Sequence, residues 1–215
     1  TIRVQEKETG IPVPLDVEGA DYLCLFSSGE IAGFPEFIGS LAKIFKATGV
    51  TWTISSEYFE ATNTGVQLGN SKMAATLVER VVSAAEKLGV KYVISPECGH
   101  AYTTIRWDAP NFIGRPLPFK VVHIMELLDE LRRDGRLKTE GVSAEKLSYH
   151  DPCNAGRRGG VLDQPRDLLA MVAPDFVELP ETGAMNWCCG GGGGVSSNER
   201  ADPLRLKVFD AKKRQ

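Results

Sequence analysis

An α/β protein is the fold class this sequence predicts: two similar lobes with short parallel sheets, flanking helices, and a site at the C-terminal strand edges. Three observations carry it. Short β-branched or aromatic runs alternate with amphipathic stretches along the 215 residues. Glycines stand where those stretches should stop, at Gly49 and Gly89. Cysteines fall in loops that follow strands, the rim at which open parallel sheets bind ligands.

Taken in order, residues 1–20 read as a linker, because Thr9-Gly-Ile-Pro-Val-Pro14 is turn-rich and aperiodic. Asp21-Tyr-Leu-Cys-Leu-Phe26 is apolar and short, as a buried strand is. Phe37, Ile38, Leu41, Ile44 and Phe45 have helical spacing within 34–48. Val50-Thr-Trp-Thr-Ile54 is β-branched and aromatic, hence a strand. Asn70 is placed to cap a helix over Ser71–Leu88. Val90–Ile94 is the next strand, and Ser95-Pro-Glu-Cys-Gly-His100 the loop after it. With Pro110, Pro116 and Pro118, the stretch 102–119 reads as irregular. Residues 121–133 open as strand or helix and finish helical.

A connector over 140–146 separates the lobes, giving a first lobe at 21–140 and a second at 147–215. In the second, Ser148–His150 and Asp175–Leu179 read as strands, and Gln164–Val172 as a helix with Pro165 in its first turn. A five-glycine run, Gly190–Gly194, precedes a helix over Glu199–Arg214. That helix ends the chain, so the second lobe is expected to be truncated. The cations Arg205, Lys207, Lys212, Lys213 and Arg214 are expected on its exposed face.

Composition narrows the function. Hydrophobic residues at 42% and charged residues at 25% exclude disorder and collagen-like repeats. A net charge of −3 gives no electrostatic footprint for nucleic acid. No apolar run reaches the roughly 18 residues of a membrane span, and the polar start, Thr1 to Glu8, does not resemble a secretory signal. Five cysteines, Cys24, Cys98, Cys153, Cys188 and Cys189, are an odd and irregularly spaced set. A disulfide framework is therefore not expected, and a reducing cytoplasmic setting with metal or redox use is.

The cysteines are unequal. Cys24 sits mid-strand, as a core thiol does. Cys98, Cys153 and the Cys188-Cys189 pair sit in rim loops rich in glycine, including Gly99, Gly159, Gly160, Gly190 and Gly191. Glycines let backbone N–H groups approach a thiolate or a cluster sulfur closely. The glycine run also reads as a linker. A phosphate loop fails, because no Lys-Ser/Thr follows it. His100 and His150 each lie within three residues of a site cysteine, so each is a candidate proton donor or sulfur partner, or else an anchor for its own loop. His123, in an apolar stretch, reads as structural. Cysteine with histidine also admits zinc. Arg157 and Arg158 are candidates for a substrate carboxylate, or a solvated pair. Trp107 and the proline-rich 110–118 stretch read as a partner surface or an ordered loop.

Tyr149-His-Asp-Pro-Cys153 followed by Asn186-Trp-Cys-Cys-Gly-Gly-Gly192 resembles the cysteine-rich CCG domain of heterodisulfide reductase catalytic subunits. The glycolate oxidase iron–sulfur subunit and the cytoplasmic iron–sulfur subunit of the sulfite-reduction membrane complex share that domain. Glu97-Cys-Gly-His100, Val122-His-Ile-Met-Glu126 and Asp134-Gly-Arg-Leu137 look like the sulfite-complex and amine-catabolism branches in particular. The resemblance runs from about Asp21 to the end of the chain. It implies a [4Fe–4S] cluster, cubane or non-cubane, in an oxidoreductase subunit that passes electrons between a dehydrogenase or flavoprotein and a thiol/disulfide or quinone acceptor. The implied partners are other redox subunits: a ferredoxin-like module, a flavoprotein, or a membrane quinone or cytochrome subunit. The implied place is the cytoplasm, at the membrane's cytoplasmic face where such a complex assembles. A relay or docking subunit without its own substrate, and a zinc or dithiol protein, are the competing readings.

Carried over residue by residue, the resemblance makes Cys153, Cys188 and Cys189 ligands, with 34 residues between Cys153 and Cys188. Cys98 is the candidate fourth ligand, and Gly190 and Gly191 border the site. Two departures stand out. The family's final Cys-x-x-Cys is absent after Cys189, and the first lobe has Ser27-Ser28 where relatives carry Gly-Cys. The first lobe therefore looks like a degenerate copy of the motif. A piece short of two ligands is expected to be capable of standing without its cluster.

Overall fold

A computed structural model describes residues 1–60 and 64–215. Helix α1 (Ile2–Thr9) opens the chain, so the first part of the stretch expected as a linker is helical. It packs on α3, and its Gln5 is buried there. Strand β1 (Tyr22–Cys24) leads into α2 (Ser28–Gly33) and α3 (Glu36–Thr48). Then follow β2 (Trp52–Thr53), α4 (Thr64–Gln67), α5 (Ser71–Leu88) and β3 (Tyr92–Ser95). After α6 (Gly99–Thr103), a π-helical turn over Thr104–Asp108 and α7 (Ala109–Ile113), the chain returns as β4 (Lys120–His123) and α8 (Ile124–Arg133).

The four strands form one parallel sheet in the order β2-β1-β3-β4. Tyr22 pairs with Trp52 and Tyr92, and Tyr92 with Lys120. Alternation along the strands builds a core on each face. Leu23, Leu25, Val93 and Val121 pack with Val78, Val81 and Val82 of α5 and with Tyr102 and Ile105. Cys24, Phe26 and Ile94 pack on the opposite face with Ile38, Leu41 and Phe45 of α3 and Leu127 and Leu131 of α8. Each such aliphatic side chain contributes about 1.5–3 kcal/mol on burial. Cys24 is a core thiol, as its strand position implied.

Local chemistry fixes the element ends. Asn70 accepts a hydrogen bond from Met73 N, and Gly49 and Gly89 close their helices at φ 66° and 65°. Ser27 and Glu30 form a reciprocal cap at the start of α2, and His123 and Glu126 form another on α8. His123 is thus structural.

Residues 102–119, expected to be irregular, are largely helical. Buried Tyr102, Ile105 and Ala109 recur at helical spacing against α5. Pro110 is tolerated because it occupies the first turn of α7, and Pro116 and Pro118 follow the stop at Gly114. Here Tyr102 Oη donates to Glu126 at 2.9 Å, and Arg106 binds both Glu126 and the Val121 carbonyl. Glu126 also accepts from His123 N at 2.8 Å. This cluster covers the outer edge of β4, which no other strand joins among the described residues.

The second half departs more from expectation. The expected strands at 148–150 and 175–179 reduce to one parallel bridge, Leu147 to Phe176, so the described sheet belongs to the first half. A π-helical turn spans Cys153–Arg158, and α9 (Asp163–Val172) packs on α8. Helix α10 (Asp202–Lys212) ends the chain. A polar knot does the work of a second sheet. Asp151, almost fully buried, accepts from Arg166 at 2.8 and 2.9 Å, from Thr182 Oγ1 at 2.8 Å and from Gly183 N at 2.6 Å. Arg166 also holds Glu178.

Candidate functional site

Three loops carry the rim cysteines, and the structure brings them to one side. Cys98 follows β3 and precedes α6; its carbonyl accepts from Ser95 Oγ at 3.0 Å and from Tyr102 N at 3.0 Å. Gly99 lies flat against the next loop: a Cβ there would stand 2.6 Å from Ala155 N. Only glycine permits that approach. His100 then bridges outward, its Nε2 lying 2.8 Å from Asn154 Nδ2. The same ring borders the glycine run, 3.3 Å from where a Cβ on Gly193 would lie. His100 therefore touches both other cysteine loops. Burial, then the charge of Arg158, lowers its pKa.

Around the thiols, donors are placed as the glycine content suggested. Gly190 N donates to Cys188 Sγ at 3.3 Å, Gly191 N to Cys189 Sγ at 3.4 Å, and Asn154 Nδ2 to Cys153 Sγ at 3.6 Å. Cys153 and Cys188 are exposed, and Cys189 and Cys98 half-buried. Burial pushes the Cys98 thiol up. The Cys-Cys loop is fixed from behind. Gly190 has φ +73°, a Cβ there would meet Arg205 O at 2.8 Å, and Arg205 Nε binds Gly190 O at 2.9 Å.

Asn186 ties two of the loops together: its amide donates to the Asp151 carbonyl, and its own carbonyl accepts from Arg157. Arg157 also binds Ala184 O, and Arg158 pairs with Asp108 at 2.7 Å, so both arginines are engaged within the fold. His150 faces Asn186 and Lys212; burial, then the Lys212 charge, lowers its pKa, and its Nδ1 is buried without a hydrogen bond. Lys212 is buried, against the expectation of an exposed face, because α10 lies over Asn186. Arg205 is drawn in likewise by Gly190.

Among the described residues, no group of three or more His, Cys, Asp or Glu side chains stands close enough to hold a metal ion. The loops converge; the thiols are not gathered into a closed ligand set. Their chemistry nevertheless fits a thiolate-bound cluster, since the sulfurs of Cys153, Cys188 and Cys189 each accept an N–H donor. A cleft of about 1010 Å³ runs elsewhere, along the outer side of β4 among Arg106, Leu117, Lys120 and Glu126.

Residues missed from sequence include Asn154 and Asn186, both adjacent to the motif and thus findable, and Lys212, which nothing marked. Glu30 was missed too. It is buried, its Oε1 lacks a partner, and burial foremost, with Glu97 nearby, pushes its pKa up to about 7.

This geometry matches a known class. Residues 147–214 match the family described as the cysteine-rich CCG domain, and that segment of the chain is such a domain. The chain as a whole has relatives among redox proteins. It is 31% identical over 156 residues to an EtfAB:quinone oxidoreductase of Syntrophomonas wolfei, covering 72% of this chain and 21% of that protein. It is 30% identical over 208 residues to a dihydromethanophenazine:CoB–CoM heterodisulfide reductase component of Methanosarcina acetivorans, covering 93% and 50%. With the probable iron-sulfur-binding oxidoreductase FadF of Bacillus subtilis it shares 29% over 197 residues, covering 89% and 27%. The chain thus spans half or less of the length of these relatives. No solved structure matches it. No helix among the described residues is long and apolar enough to cross a membrane.

Proposed function

We propose that this chain is the cluster-bearing electron-transfer part of a heterodisulfide reductase-like oxidoreductase. Cys153, Cys188 and Cys189 hold a [4Fe–4S] cluster, with Cys98 as the fourth participant. The observation that carries the reading is the convergence of three cysteine loops on His100, with an N–H aimed at each of three sulfurs. The cluster supplies one-electron transfer. The chain's own residues do the rest. Gly190, Gly191 and Asn154 donate to the sulfurs, the kind of hydrogen bond that tunes a cluster's potential. His100 holds Asn154 in place through its ring Nε2. Arg157 and Asn186 keep the Cys153 and Cys188 loops in register. The partners are redox subunits, a dehydrogenase or flavoprotein on one side and a thiol/disulfide or quinone acceptor on the other, at the cytoplasmic face of a membrane. The names of the relatives, a quinone oxidoreductase and a heterodisulfide reductase component among them, support the redox partners.

Anaerobic reconstitution with iron and sulfide tests this. The expected outcome is a brown protein with stoichiometric iron and sulfide and an iron–sulfur EPR signal on reduction. Cys153→Ser, Cys188→Ser and Cys189→Ser are each expected to lower bound iron several-fold. A protein that stays colourless, or that carries stoichiometric zinc when purified natively, overturns the reading.

A further inference from the structure

The cluster reading leaves one buried charge unused. Lys212, in the last turn of α10, is only 8% exposed. Its Nζ donates to Asn186 Oδ1 at 3.1 Å and to Gln215 Oε1 at 2.9 Å, and no carboxylate stands within ion-pair distance among the described residues. Neighbouring cations do have acids: Arg205 pairs with Asp202 and Lys213 with Asp210. Asp151, whose carbonyl Asn186 binds, has its carboxylate held by Arg166, and Glu181 accepts from Gln215 Nε2 and makes no ion pair with Lys212 among the described residues. A buried ammonium with only amide partners is unfavourable unless an anion compensates it.

Where that anion would sit follows from the contacts. Asn186, the amide that holds Lys212, stands two residues before Cys188. Its other end binds the carbonyl of Asp151, two residues before Cys153. Arg157, a second cation at this junction, likewise binds the carbonyls of Ala184 and Asn186. Positive charge without an ion-pair partner among the described residues is therefore bonded, through Asn186 and the carbonyls of Ala184 and Asn186, to the segments that lead into Cys153 and Cys188.

We infer that Lys212 is the counter-charge for an anionic group held at Cys153, Cys188 and Cys189, and that it favours the reduced, more negative state of that group. Lys212 is a positioning residue, and the inference rests on the cluster reading above. The step it favours is a one-electron reduction, in which no bond forms or breaks and Lys212 remains an ammonium.

The test uses the full chain after anaerobic reconstitution, with wild type, Lys212→Gln and Lys212→Arg titrated potentiometrically with dithionite and followed by EPR. Gln keeps a donor to Asn186 but removes the charge; Arg keeps the charge. At a fixed poise, the reduced-to-oxidised ratio is expected to fall about tenfold in Lys212→Gln, or about 59 mV for one electron. In Lys212→Arg it is expected to stay within about twofold. An unchanged ratio in Lys212→Gln, or an equal fall in both variants, overturns the inference while the cluster reading stands. The cluster-free protein offers a second readout, the titration of the His150 ring by NMR. The Lys212 charge lowers the His150 pKa, so its midpoint is expected to rise in Lys212→Gln and to hold in Lys212→Arg. An unmoved midpoint in Lys212→Gln overturns the counter-charge even where that variant takes up no iron. A wild-type chain that takes up no iron overturns the cluster reading and the inference together.

Discussion

Glu30 caps α2 with a carboxylate that its own burial makes reluctant to ionise. In an unfolded chain it would titrate at the usual 4.5, whereas burial first, and Glu97 after it, raise it to about 7 in the fold. Between those values the folded state holds the extra proton, so stability falls as pH rises through the window and levels off above about 7. Glu30→Gln is expected to flatten that slope and to exceed wild type by roughly 1–2 kcal/mol near pH 8. Urea denaturation at several pH values measures it; parallel profiles would refute the account. Cysteine reactivity is a second matter for single residues. Cys24 is fully buried and its thiol is pushed well up by burial, while Cys153 and Cys188 are exposed. Native iodoacetamide labelling, read by mass spectrometry, is expected to reach Cys153 and Cys188 first and Cys24 only in denaturant. The ranking of these thiols was legible in the sequence, because strand interior and post-strand loop differ in local pattern. The burial of Lys212 and Glu30 was not, because it depends on partners 26 and more residues away or on the packing of a helix end.

Helices and strands of the first half were read well wherever an amphipathic period ran between a cap and a glycine. Ser71–Leu88 is the plain example, with Asn70 and Gly89 at its ends. The 102–119 stretch was misread because three prolines outweighed Tyr102, Ile105 and Ala109, whose shared face becomes visible only against α5. The second half was misread for a different reason. Its expected strands are short, and the Asp151–Arg166–Glu178–Thr182 knot supplies the cohesion that strand pairing was expected to give. Burial pushes the Asp151 carboxyl up, but Arg166, Gly183 N and Thr182 outweigh it and hold it at about 2. That stabilisation is present above the usual 3.8 and is lost as pH falls toward 2. Arg166→Met leaves Asp151 buried and uncompensated, so a loss of about 3–5 kcal/mol is expected in denaturant unfolding. A loss below about 1 kcal/mol would show the knot to be dispensable. At the rim, Gly190→Ala is expected to displace the Cys-Cys loop from Arg205, with iron retention on reconstitution falling before overall helicity by circular dichroism does.

For the molecule as a whole, all strands of the described sheet run one way, so the loops after them share a single rim, and the cysteine loops meet there. The order of elements in the sequence revealed that rim for Cys98, which follows β3; the Cys153 and Cys188 loops reach it without the preceding strands the sequence suggested. The sequence could not reveal that His100 would touch both neighbouring loops, since those contacts span 54 residues and more. The far side of the sheet carries a separate consequence. The outer edge of β4 is closed by side chains, with Arg106 on the Val121 carbonyl and Glu126 on the His123 amide, joined by an ion pair at 3.0 Å. A lock made of partly exposed charges weakens as counterions accumulate, and an unlocked edge is a template for the edge of another molecule. Concentrated stocks of this protein should therefore cloud sooner in about 1 M salt than in dilute buffer, and Glu126→Ala should cloud at any ionic strength, as light scattering would record. The pair that finishes the fold would then also set how long the protein keeps in the tube.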